Sequence, residues 1–128
     1  MTAQLTNLEC RQGDSLDLLI EVHQDSETGP ALLLTDYSAR MQVRKHIADP
    51  VPALDLSSAG GGITIDGDAG TITVSISPDQ TKTIPVLCDR GIFPIVENYI
   101  YDLEIHSPQG AVTTLVMGNF TVFAEVTR

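Results

Sequence analysis

GGITIDGDAGTITVSIS, residues 61–77, decides how the rest of the chain is read. Apolar residues alternate with polar ones on both sides of DGDAG: Ile63 and Ile65 before it, Ile72, Val74 and Ile76 after it. A period of two places each set on one face of an extended strand, and a turn rich in aspartate and glycine reverses the chain between them. The reading is a hairpin of two half-buried strands, with Gly67 and Gly70 supplying the positive φ angles of its turn.

The same period extends outward. Upstream, SLDLLIEV sets Leu16, Leu18, Ile20 and Val22 against Asp17 and Glu21, with Leu19 out of step, and DSETGP is an exposed connection. SARMQVR alternates Ala39, Met41 and Val43 with Arg40, Gln42 and Arg44. IADPVPALDLSS carries two prolines, which favours an edge or a loop with at most a short strand around residues 54–56. Downstream, Ser77-Pro78-Asp79-Gln80 has the cap, the proline and the spacing of a capping box, predicting a turn or two of helix.

NYIYDLEIHS then puts Tyr99, Tyr101, Leu103 and Ile105 on one face, and SPQG reverses the chain. AVTTLVMGNFTVFAEVTR reads as one long strand with a bulge at Gly118 between Met117 and Phe120, or as two strands. The sum is an all-β chain: a single immunoglobulin-like β-sandwich over residues 1–128, with about seven or eight antiparallel strands and one short corner helix. Its expected core is Leu16, Leu18, Ile20, Met41, Val43, Ile72, Val74, Ile76, Tyr101, Leu103 and Ile105.

Composition narrows the function classes. Seven Lys+Arg against 17 Asp+Glu give a net charge of −10, which repels a phosphate backbone, so no nucleic-acid partner is expected. The first residues, MTAQLTNLECRQGD, lack a signal-peptide pattern, and no run approaches the ~20 apolar residues of a membrane span, so a soluble product without a membrane partner is expected. Cys10 and Cys88 have no second ligand at metal spacing and read as reduced thiols.

Candidate chemistry is sparse. Asp66 and Asp68 have the alternation of a calcium loop but lack its further oxygens, so a turn chosen for backbone reasons is the stronger reading. His23, His46 and His106 are isolated in sequence, no G-x-S-x-G is present, and SSAGGG runs into a strand rather than opening a helix. No catalytic residue, metal, cofactor or small-molecule substrate is expected, and the chain is not read as an enzyme. The stretch IPVLCDRGIFPIVE, residues 84–97, stands out instead: an apolar connection without alternation that either folds back over the end of the sandwich or waits for a partner.

Taken together, CRQGDSLDLLIEV, LTDYSARMQVR, ITIDGDAGTITVSISPDQT and YDLEIHSPQGAVTTLVMGNFTVFAEVTR resemble a group of small tailed-bacteriophage virion proteins. The shared pattern is R-x-G-D before the first long strand, T-x-Y-x-A-R-M-Q-x-R, an I-T-x-x-x-x-G-T-I-T hairpin, Y-D-L-E, and a closing G-x-x-T-V-x-x-E-V-T-R. It covers residues 9–128. The resemblance implies the immunoglobulin-like N-terminal domain of upper baseplate or tail-fibre adaptor proteins, made in the host bacterial cytoplasm and built into the virion.

It also implies several copies in a symmetric assembly, contacting other tail or baseplate proteins. No following domain is visible in the sequence, which suggests an adaptor or decoration rather than a fibre. Members of the group pass from the corner helix to Y-D-L-E through a few residues, whereas here residues 85–98 intervene. The expected partner contact is therefore Ile92, Phe93, Pro94, Ile95 and Val96, with Asp89 and Arg90 as a polar rim. A capsid or neck decoration protein of the same fold is the alternative. A free carbohydrate-binding module is disfavoured by the absence of Trp and the presence of only three Tyr and three Phe.

Overall fold

The computed structural model describes residues 3–23, 30–87, 92 and 95–127. In chain order these form β1 (Gln4–Leu5), β2 (Leu8–Arg11), β3 (Leu16–Glu21), β4 (Ser38–Arg44), β5 (Leu54–Ser57), β6 (Ile63–Asp66), β7 (Thr71–Ile76), α1 (Pro78–Lys82), β8 (Val96–His106) and β9 (Val112–Phe123). The front sheet runs β1-β9-β8-β4-β5, with β2 also on β9, and the back sheet runs β3-β7-β6. Successive strands cross between the sheets at β2–β3, β3–β4, β5–β6 and β7–β8. This is the immunoglobulin arrangement of a three-stranded back sheet against a front sheet extended by the β4–β5 hairpin.

Alternation produces this packing directly. Met41, Val43, Ile72, Val74, Ile76, Tyr101, Leu103 and Ile105 are buried, joined by Leu34, Leu56, Ile84, Phe120 and Val122. Leu16, Leu18 and Ile20 are only half-buried and pack against that core from its margin. The reason is their position: among the described residues β3 is an edge strand, paired only with β7. Leu19, the residue out of step, is 66 % exposed on the opposite face.

The hairpin of residues 61–77 forms with Ile63 opposite Val74 and Ile65 opposite Ile72. Gly70 has φ +68, and a Cβ there would lie 2.5 Å from the Leu32 carbonyl oxygen. Gly67 does not take a positive φ; a Cβ there would meet the Thr35 backbone at 3.1 Å, so close approach rather than handedness accounts for it. The Asp66 carboxylate accepts from the Ala69 N–H at 3.1 Å, closing the turn with a side chain.

Helix α1 carries the expected capping box: Ser77 Oγ accepts from Gln80 N–H, and the Gln80 side chain accepts from Ser77 N–H. After it, the Tyr99 hydroxyl, near the start of β8, donates to the Pro85 carbonyl. A tyrosine near the start of the strand after the corner, bonded to backbone upstream, has the form of the tyrosine corner of immunoglobulin sandwiches, with a longer span of 14 residues here. Two residues on, where antibody domains place the second cysteine of their inter-sheet disulfide, this chain has Tyr101. Its ring stands edge-on to Phe120 at 6.1 Å and its hydroxyl donates to the Thr6 carbonyl at 2.7 Å.

That carbonyl explains Gly118. β9 is one continuous strand, and its register shift falls where Leu103 pairs with Val116 but Glu104 with Thr114, which makes Leu115 the extra, buried residue. The bulge is therefore at Leu115, not at Gly118. Gly118 pairs regularly with Tyr101, but a Cβ there would lie 2.3 Å from the Thr6 oxygen. Thr6 and Asn7 lie against β9 at this point, Thr6 N–H bonding Met117 O at 2.9 Å and Asn119 N–H bonding the Asn7 side chain at 3.1 Å. These two residues separate β1 from β2, which pair parallel to β9 along the edge that β8 leaves open.

Candidate functional site

The apolar run predicted to meet a partner divides into parts with different fates. Ile84 is fully buried and Val86 packs against the core, so the run begins as core. Leu87 and Ile92 are 80 % and 73 % exposed. Ile95 is half-buried, its carbonyl accepting from Ala124 N–H at 2.9 Å, and Val96 opens β8 opposite Phe123. Asp89, Arg90, Phe93 and Pro94 lie outside the described residues, as does Cys88.

Glu97 ties the two ends of this connection together. Its carboxylate pairs with Lys45 and accepts from the Leu87 N–H at 3.2 Å, and the hydrogen bond from Lys45 holds its pKa below the ordinary range. The Lys45 ammonium also lies 5.3 Å from the Tyr99 ring centroid. The backbone of the exposed Leu87 is thus held by Glu97, which Lys45 in turn fixes beside Tyr99.

A second node sits at the other side of α1. Thr81 is fully buried; its hydroxyl accepts from Gly13 N–H at 3.0 Å and lies 2.8 Å from the Asp14 carbonyl, to which it donates. Gln12 donates to the Ile84 carbonyl at 2.7 Å and accepts from Glu125 N–H at 3.1 Å. The R-x-G-D and E-V-T-R segments, at opposite ends of the sequence, therefore share one corner. Sequence reading did not single out Thr81, because a threonine in the first turns of a short helix has no periodicity to mark it.

The outer face of the front sheet is polar along β4. Arg40 pairs with Asp55 at 3.2 Å and Gln42 bonds the same carboxylate at 3.2 Å, the Arg40 hydrogen bond lowering the Asp55 pKa. Beside this ladder a shallow groove of about 430 Å³ is lined by Arg44, Ile47, Ile100, Met117 and Asn119 among others. His23 contacts Glu21 at 3.4 Å and His106 contacts Glu104 at 2.8 Å, each on its own strand margin, and His46 is exposed in a loop. Asp66 and Asp68 share an open depression with Asp36. Among the described residues no three His, Cys, Asp or Glu side chains are grouped as a metal ion requires, and no helix is long and apolar enough to cross a membrane.

No family model and no curated protein matches the sequence. Among solved structures, one described as murine CRIg is similar over 93 % of this chain and 92 % of its own, at 14 % identity and a TM-score of 0.38.

Burial gives the front sheet a measurable pH response. It pushes the Cys10 thiol from 9.0 up to about 11, with Asp14 adding to the shift, and the Tyr101 phenol from 10.0 up to about 12. Both groups hold their protons more tightly folded than unfolded, so their stability contribution is complete below the ordinary values and is lost as pH climbs through the raised ones. The urea midpoint should fall progressively above about pH 9, and Cys10→Ala should flatten the onset of that fall. A midpoint that stays constant to about pH 11 would contradict the buried thiol.

Proposed function

We propose that this chain is a structural component of a bacteriophage virion, a tail or baseplate adaptor that helps anchor receptor-binding proteins or tail fibres, present in several copies in a symmetric assembly. The observation that carries the reading is the ordered motif series over residues 9–128. It gains support from what those motif residues do for one another: Gln12, Gly13 and Asp14 join Thr81 and Glu125 at one corner. A series whose members depend on each other across the sandwich is a framework signature rather than a coincidence of strand composition.

In this reading the contact to neighbouring virion proteins has Ile92, Phe93, Pro94, Ile95 and Val96 at its centre and Asp89 and Arg90 at its rim. Leu87 and Ile92 offer exposed apolar surface, which is what a protein contact needs at its centre. The −10 charge discourages indiscriminate association and leaves the contact to a less acidic surface.

Ile92→Asp with Phe93→Asp is expected to leave the circular dichroism and melting temperature of the isolated protein close to wild type. Incorporation into particles, scored by complementing a particle that lacks the chain, should fall at least tenfold. Normal incorporation would remove this surface from the assembly, and electron density for the chain on the head or neck would replace the adaptor reading with decoration.

A further inference from the structure

The back sheet ends in an edge that is built to receive a strand. In the β3–β7 ladder Val22, one step beyond the pair Glu21 and Thr71, donates its N–H to Gly70 O at 2.8 Å. Antiparallel pairs alternate between bonded and non-bonded, so Leu16, Leu18 and Ile20 bond β7, while Asp17, Leu19 and Glu21 direct their N–H and C=O groups away from it. Among the described residues no strand pairs with β3 on that side.

The same edge borders a cleft between the two sheets. Leu8, Leu18, Ile20, Met41, Tyr101 and Val116 line it, and its volume is about 260 Å³. That is smaller than the ~300–1,000 Å³ usual for small-molecule sites. A few aliphatic side chains fit it better than a whole ligand does. Free backbone groups beside a row of half-buried apolar side chains are the two halves of a strand-addition site: the edge supplies the ladder and the cleft takes alternate side chains.

Charge selects the occupant. A second copy pairing antiparallel through β3, centred on Leu19, would set Asp17 of one copy opposite Glu21 of the other, twice, and like charges directly opposite are destabilising. We propose that β3 accepts an extended segment of a partner protein, apolar at alternate positions and carrying lysine or arginine two residues to either side of a central apolar residue. The apolar positions enter the cleft, and the basic ones face Asp17 and Glu21. This inference stands on the edge and the cleft, independently of the virion reading.

The test uses the whole protein, a blocked heptapeptide VKVIVKV as probe and its acidic counterpart VEVIVEV as control. Saturable amide shifts and slowed exchange at Asp17, Leu19 and Glu21, with methyl shifts at Leu8, Leu18 and Ile20, are expected for the basic peptide alone. Leu19→Pro removes an outward N–H without removing a bond to β7, a position where an edge strand tolerates proline, and should weaken binding at least tenfold. Asp17→Lys with Glu21→Lys should transfer the preference to VEVIVEV. If Leu19→Pro fails to fold, the charge-reversed protein decides. Absence of saturable binding, shifts elsewhere, indifference to charge reversal, undiminished binding by a folded Leu19→Pro protein, or dimerisation of the free protein through β3 would each overturn the proposal.

Discussion

Phe120→Ala is expected to destabilise the fold by about 3–5 kcal/mol, the range for emptying a fully buried phenylalanine site. Phe120 has no exposed surface, lies opposite Tyr99 in the β8–β9 ladder and stacks edge-on against Tyr101. Removing the ring leaves a cavity beside both tyrosines, and the neighbours that would have to close it are held by hydrogen bonds to Pro85 and Thr6. Collapse is therefore restricted, which places the cost toward the upper end of the range. For a domain with ~5–15 kcal/mol in total this is a large fraction. Urea denaturation followed by circular dichroism would measure it; a loss below ~1 kcal/mol would mean that the sheets close over the site after all.

Thr81→Val tests the corner where the sequence's two ends meet. Valine keeps the shape of threonine but leaves the Gly13 N–H without its acceptor and the Asp14 carbonyl without its donor, at a contact buried on the Thr81 side and partly open on the Gly13 and Asp14 side. A fully buried unsatisfied group costs about 1–3 kcal/mol, and because water reaches the exposed Asp14 the change should cost about 1–3 kcal/mol in all, while Thr81→Ser should retain most of the stability. Faster amide exchange at Gly13 is the local sign to look for. Equal stability of the Val and Ser variants would show that water replaces the hydroxyl at no cost.

These two residues also mark where the sequence was not legible, since neither stood among the expected core or site residues. Strands with one buried face state their register in their own residues, so β3, β4, β6, β7 and β8 could be read locally, and the capping box of α1 likewise. β1 and β2 could not, because they are short and mostly exposed, and their pairing with β9 spans more than a hundred residues. Gly118 was noticed for the right reason of oddity but given the wrong cause, since a glycine required by an approaching backbone looks, in one dimension, like a glycine required by a bulge. Of the expected contact residues, Val96 proved to begin a strand and Ile92 to stand exposed. The distinction depended on where Glu97 and Lys45 pin the connection, a pairing 52 residues apart.

The parallel placement of β1 and β2 on β9 has a mechanical meaning. Gln4 lies beside Val116 and Arg11 beside Phe123, so the first and last strands run in the same direction along their shared boundary. Tension entering at Gln4 and leaving at Phe123 would act along both strands and strain their mutual hydrogen bonds together, in shear, instead of opening them one at a time. Resistance to pulling is then governed by the rate at which the whole seam fails, with the contacts of Thr6 and Asn7 around Gly118 as a latch within it.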